Sequence, residues 1–185
     1  MVQAPLQNLT LTAFLALPEA DTAYELIDGA AIPKMAPQRF HSRTQKALLL
    51  VLENWGKERG EVGVEWSVTL KRQGIDWVPV PDLLYVSSQR LPEDFVDDGP
   101  CPVPPELAIE IISPSQSFGG MTEKALDYLS AGVQRVWIVD PKSKSTTVFM
   151  PDRIPQLYRG NRPLADTLLP DLTLSAEGLF QQAGI

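Results

Sequence analysis

The stretch Leu107-Ala108-Ile109-Glu110-Ile111-Ile112 is apolar at five of its six positions, and this constrains the fold more than any other feature of the chain. A strand that alternates apolar and polar residues has one dry face. A strand apolar throughout is covered on both faces, as happens in a sheet with helices packed on each side. The run therefore predicts a central strand of a layered α/β domain. Glu110 lies inside it, and burying an unpaired carboxylate costs several kcal/mol. Glu110 must then be protonated, paired with a cationic side chain, or bound to a metal ion, and the strand alone does not choose between pairing and metal.

Around this strand, helical and extended patterns alternate, giving a mixed sheet with helices on its faces. Thr10 to Leu17 reads as a short helix stopped by Pro18. Tyr24 to Ile27 is a strand, Asp28-Gly29 is the favoured two-residue hairpin turn, and a second strand runs from Ala30 to Met35. From His41 to Glu58, Ala47, Leu48, Val51, Leu52 and Trp55 recur at helical spacing. Val62, Val64, Trp66, Val68 and Leu70 alternate with Gly63, Glu65, Ser67, Thr69 and Lys71, which predicts one continuous half-buried strand. Asp82 to Val86 is a further strand with Pro81 at its start, where no ladder donor is needed. A helix is expected from Thr122 to Ala131 with Gly132 as its C-terminal cap. Arg135 to Asp140 and Thr146 to Met150 form a last strand pair. No repeat or linker interrupts the chain; the proline-rich loop from Leu91 to Pro105 separates two halves of one sheet, so one domain over residues 1–185 is expected.

Bulk properties narrow the function. A chain of 185 residues with 44% hydrophobic residues can bury a sizeable core. No run approaches the ~20 apolar residues of a membrane span, and no basic-then-apolar leader opens the sequence, so a cytoplasmic protein is expected. Cys101 is the one cysteine, in Gly99 to Pro105, so no internal disulfide can form. The net charge of -7 argues against a protein that coats nucleic acid. It leaves room for a local basic surface: Arg39, Arg43, Lys46, Lys57 and Arg59 cluster in or beside one helix, although a solvated helix face has the same pattern.

Three residues carry the chemical argument. Asp82 begins a strand neighbouring that of Glu110, and carboxylates on adjacent strands can point at one ion. Hard cations such as magnesium take one or two carboxylates plus water and substrate phosphate. Lys124 lies early in the following helix, where its ammonium reaches back over the strand's end, to hold a water or offset charge on a phosphate. Taken singly, Pro81-Asp82 is also an ordinary turn pair, and Lys124 an ordinary exposed helix residue. His41 is the only histidine, so zinc sites built from several His or Cys ligands are excluded by count, and no nucleophile-elbow sequence accompanies it.

With these residues in place, the chain resembles the putative restriction endonuclease family of the PD-(D/E)XK nuclease superfamily, long known as a domain of unknown function. The resemblance runs from Tyr24-Glu25-Leu26-Ile27-Asp28-Gly29 through Met35-Ala36-Pro37 and His41 to Pro81-Asp82, then Glu110-Ile111-Ile112-Ser113-Pro114-Ser115. Lys124, Tyr128, Gly132-Val133 and Trp137 to Asp140 follow in order, and Leu172 to Phe180 is similar to the family's ending. It implies a restriction-endonuclease-like fold and an endonuclease that hydrolyses DNA with Mg2+ or Mn2+. Asp82, Glu110 and the backbone carbonyl of Ile111 would ligate the ion, Lys124 would be the catalytic lysine, and Glu25 and His41 would be further polar residues of the site. In the parent superfamily the lysine follows the Glu by two positions, which here is Ile112; in this family it has moved to the helix. Many relatives carry an Asp four residues before that lysine, where this chain has Gly120, so the job of that Asp, capping the helix or orienting the lysine, is absent or done by another group.

A double-strand break needs two such sites, so a homodimer is expected. The alternatives are a nuclease-fold binding module without turnover, which the acidic charge and Gly120 favour, and a metal-dependent hydrolase of some other phosphate.

Overall fold

The computed structural model describes residues 7–18, 22–92 and 94–185. Its frame is a six-stranded sheet. In chain order the elements are α1 (Leu11–Leu15), β1 (Tyr24–Ile27), β2 (Ala30–Pro33), α2 (Arg39–Gly56), β3 (Gly60–Val64), β4 (Leu70–Arg72), β5 (Ile75–Trp77), β6 (Leu83–Ser87), β7 (Leu107–Ile111), α3 (Phe118–Ser130), β8 (Arg135–Asp140), β9 (Ser145–Phe149), β10 (Gln156–Arg159) and α4 (Ala176–Gln182). The spatial order is β10-β9-β8-β7-β6-β3, with β7 and β8 parallel and every other neighbouring pair antiparallel. β1-β2 and β4-β5 are separate two-stranded hairpins.

The apolar run is the strand the sequence predicts. β7 is buried at all five positions and lies between β6 and β8. Because side chains alternate between faces, Leu107, Ile109 and Ile111 enter one core cluster with Leu48, Leu52 and Trp55 of α2 and Leu179 and Phe180 of α4. Ala108 enters a second cluster on the other face with Met121, Ala125 and Tyr128 of α3. The same alternation puts Glu110 on the α3 side.

Local chemistry explains the ends of the elements that matter here. Asp28 and Gly29 both have positive φ, 50° and 74°, as a tight primed turn requires, and this turn sets β1 against β2. At the end of α3, Gly132 (φ 99°) follows the cap residue Ala131. Val133 N–H donates to Tyr128 O and Gly132 N–H to Leu129 O, both at 3.1 Å, which closes the last turn as a Schellman motif. The left-handed residue it needs is the glycine the sequence supplies.

Three expectations are corrected. The alternating segment from Val62 to Lys71 is two strands: β3 stops at Val64, Glu65 takes a positive φ of 48°, and β4 starts only at Leu70, pairing with β5. Alternation reported burial correctly at Val68 and Leu70 but not at Val64, which is exposed while Gly63 is buried, and it carries no information about a backbone reversal between strands. α3 begins at Phe118, four residues before the expected start at Thr122, because the Ser117 side chain accepts from Gly120 N at 3.1 Å and caps a helix that tolerates two glycines in its first turn. The β2 strand ends at Pro33 rather than Met35. β10, α4 and the β4-β5 hairpin were not among the expected elements. The proline-rich stretch from Leu91 to Pro105, of which residue 93 lies outside the described residues, connects β6 to β7 as expected.

Candidate active site

The site forms where the start of β6, the end of β7, the start of α2, the inner face of α3 and the β1-β2 hairpin meet. Leu83 pairs with Ile109 across β6 and β7, so Asp82, one residue earlier, stands level with Glu110. Residues opposite each other in an antiparallel pair share a face. Asp82 is 2% exposed and Glu110 3%, so both carboxylates depend on protein partners.

Asp82 is held from three sides. Its Oδ2 accepts from Ile111 N–H at 2.6 Å and from His41 Nε2 at 3.0 Å. Its Oδ1 lies 2.8 Å from Lys34 Nζ. Gln45 of α2 donates to its backbone carbonyl at 3.0 Å. Burial works against ionisation of Asp82, but the His41 hydrogen bond and the Lys34 charge outweigh it and bring the pKa down to about 2. A carboxylate whose folded pKa lies below its unfolded value stabilises the fold above the unfolded value, and this contribution disappears as pH falls through the folded one. Urea unfolding should therefore show wild type losing about 2 kcal/mol more than Asp82→Asn between roughly pH 5 and pH 2. Equal losses in the two proteins would refute the assignment.

Glu110 receives Tyr128 Oη–H at 2.8 Å and Lys124 Nζ at 2.8 Å, both on Oε1. The two donors are one helical turn apart, so helical spacing aims both at the same point. Lys124 also reaches Glu25 Oε1 at 2.8 Å, and that same oxygen accepts from Val80 N–H at 2.8 Å. Glu25 is delivered by β1, which is tied to the core through paired hydrogen bonds of 3.1 Å between Leu26 and Val78. Burial opposes the charge on Lys124, yet Glu110 and Glu25 on either side raise its pKa. It is therefore a fixed cation at neutral pH. Burial raises the pKa of Glu110 despite Lys124, with Asp82 adding to the rise. Tyr128 stays a neutral phenol because burial and Glu110 push its pKa well up.

Asp82, Glu110, Lys124, Glu25, His41 and the Ile111 peptide, all candidates from the sequence, are thus brought together in two adjoining sets: Asp82 with His41 and Ile111 N–H, and Glu110 with Lys124 and, through it, Glu25. Ser117 caps α3 two residues before Gly119, and Glu25 and Glu110 hold the Lys124 ammonium. Sequence reasoning missed Lys34 and Gln45, and quoted Tyr128 only as part of a resemblance. Its spacing from Lys124 could have identified Tyr128; nothing local marks Lys34. The basic cluster is partly consumed inside the protein. Arg43 donates to Ala183 O at 2.6 Å, and Arg59 donates to Trp55 O at 2.7 Å with its guanidinium over the Trp55 ring.

The residues fit a hard divalent ion of the kind that takes few protein ligands and several waters. The donors are carboxylate oxygens, and among the described residues buried Asp82 Oδ1 meets only the Lys34 ammonium. No three His, Cys, Asp or Glu side chains among those residues form a ready-made metal cage.

A mixed sheet with a buried carboxylate on β7, another just before β6 and a helix-borne lysine beside them makes this an α/β protein with a polar site at its strand ends. Residues 11–177 match the family described as "Uma2: Putative restriction endonuclease", and the chain belongs to that family. It is also similar to a solved structure described as a putative nuclease belonging to DUF820 from Anabaena variabilis ATCC 29413. The TM-score is 0.84 at 29% sequence identity, over 95% of this chain and 99% of that one. No curated protein matches the chain. No helix among the described residues is long and apolar enough to cross a membrane.

Proposed function

We propose that the chain is an endonuclease that hydrolyses DNA phosphodiester bonds with the help of Mg2+ or Mn2+. The observation that carries this reading is the level pairing of Asp82 and Glu110 across β6 and β7, with the Lys124 ammonium 2.8 Å from Glu110. Asp82 and Glu110, with the backbone carbonyl of Ile111, would hold the ion. Bound there, it supplies Lewis-acid polarisation of a phosphate oxygen and a water of lowered pKa.

The remaining work falls to side chains. His41 and Ile111 N–H fix the rotamer of Asp82, and His41 with Lys34 keeps it ionised, so the ligand is organised in advance. Lys124, permanently charged, offsets negative charge building on the phosphate rather than accepting a proton. Glu25 pins Lys124 and so acts as a positioning group. Cutting both strands requires a second copy of the site, and sedimentation equilibrium would show whether a dimer supplies it.

Thermal melting tests the metal requirement. A ligand that binds only the native state stabilises it by RT ln(1 + [L]/Kd), about 2.7 kcal/mol at a hundredfold excess over Kd, or roughly 5–10 °C in a domain of this size. Magnesium or manganese should raise the melting temperature of wild type and leave Asp82→Asn unchanged.

A second reading rests on the ion pairs themselves. Both carboxylates are already matched by lysines, as in a nuclease fold kept for binding without turnover. Absence of any metal-dependent shift would select it.

A further inference from the structure

Lys34 is the one charged group at the site that neither the sequence motifs nor the proposed mechanism uses. It follows β2, where its backbone N–H donates to Ala23 O at 2.8 Å, so the hairpin holds its Cα in place. Its side chain is 17% exposed, and its Nζ lies 2.8 Å from Asp82 Oδ1. At that distance a well-aimed ammonium makes a charge-assisted hydrogen bond. Among the described residues this ion pair is the contact that Lys34 Nζ and Asp82 Oδ1 make. The other contacts on the two carboxylates are Ile111 N–H and His41 on Asp82 Oδ2, and Tyr128 Oη–H and the Lys124 ammonium on Glu110 Oε1.

Charge counting gives this pairing a meaning. Three carboxylates, Asp82, Glu110 and Glu25, face two ammonium groups, Lys34 and Lys124. Lys124 is committed to Glu110 and Glu25, each at 2.8 Å. Lys34 therefore supplies the positive charge at Asp82, on the oxygen that the other contacts leave open. A divalent ion taking that oxygen would crowd a second cation against it, and like charges in a shielded site repel strongly. The lysine stem is flexible and reaches solvent, so it is the group able to leave.

We propose that Lys34 is the resident counter-ion of the Asp82 ligand position and gives way to the divalent ion when that binds. The inference rests on the metal-binding part of the proposed function and not on cleavage. Its consequence is competition: metal affinity is reduced by the fraction of molecules in which Lys34 occupies the site, and entry of the ion releases a cation at the mouth of the site.

Isothermal titration of magnesium and manganese into wild type, Lys34→Met and Lys34→Gln measures this directly. The expected result is binding tighter by at least about tenfold in both variants, because the competent state is no longer taxed. Unchanged or weaker binding by folded variants would overturn the proposal. Lysine-directed acetylation of wild type, read residue by residue by mass spectrometry, needs no variant. Lys34 should be protected without metal and labelled several-fold faster with magnesium, while Lys71, exposed and remote on β4, keeps its rate. Equal labelling of Lys34 in both states would also overturn it. Tight metal binding without cleavage of DNA would sink the nuclease reading and leave the role of Lys34 standing. Failure of wild type and both variants to bind metal would remove both.

Discussion

Asp82→Asn should lower DNA cleavage by a factor on the order of a thousand, the scale of losing a preorganised electrostatic group at a reacting phosphate. The amide oxygen can still accept from Ile111 N–H, so the shape of the site is largely kept. The anion that faces Lys34 and would ligand the ion is gone. Glu110→Gln should act in the same way, because its amide oxygen can accept from Tyr128 while the charge beside Lys124 disappears. Glu110→Ala should also lose magnesium binding yet stay folded, since Glu25 remains 2.8 Å from Lys124 and keeps that cation paired. The measurements are cleavage of plasmid, single-stranded DNA and RNA by purified proteins, with magnesium titration and circular dichroism as controls. Wild-type rates in folded Asp82→Asn or Glu110→Ala would refute the assignment of both carboxylates.

Trp137→Ala is the substitution expected to cost most in stability. Trp137 is 1% exposed at the middle of β8, where it pairs with Ile109 of β7 and Val148 of β9 and joins the cluster beneath α2 and α4. Truncating a buried Trp removes its transfer free energy and leaves a cavity, together about 3–5 kcal/mol. Native domains are stable by only about 5–15 kcal/mol, so this is a large share of the total. A fall in melting temperature of roughly 10 °C or more is expected. A loss of less than about 1 kcal/mol in urea would mean that the cavity collapses or that the Trp137 position is not a core site. The opposite face of the sheet, with Glu110, should be little affected in a variant that remains folded.

How much of this was legible beforehand depends on the range of the interaction that decides it. The run from Leu107 to Ile112 revealed a doubly covered strand because burial on both faces writes itself into consecutive residues. Asp28-Gly29 and Gly132 revealed their turns because a positive φ is a local requirement that few residues meet. The break after Val64 was not legible. Alternation continues to Leu70 because Trp66, Val68 and Leu70 meet the core, although the chain has left one sheet and joined another hairpin. The first turn of α3 was hidden for the converse reason: Gly119 and Gly120 have poor helix propensity, and the Ser117 cap together with packing of Met121 and Ala125 overrides it.

The candidate site divides in the same manner. A carboxylate in an apolar strand is anomalous in one dimension, so Glu110 could be found from sequence, and resemblance to a family supplied Asp82, Lys124, Glu25 and His41. Which partner satisfies each charge is a property of pairs far apart in the chain. Lys34 meets Asp82 across 48 positions, and Glu25 meets Lys124 across 99. Sequence by itself determined that this protein has a central buried strand carrying a charge that demands compensation. Only the tertiary structure decided that lysines provide it, because the cost of burying a charge is local whereas the cation that offsets it is brought in by packing.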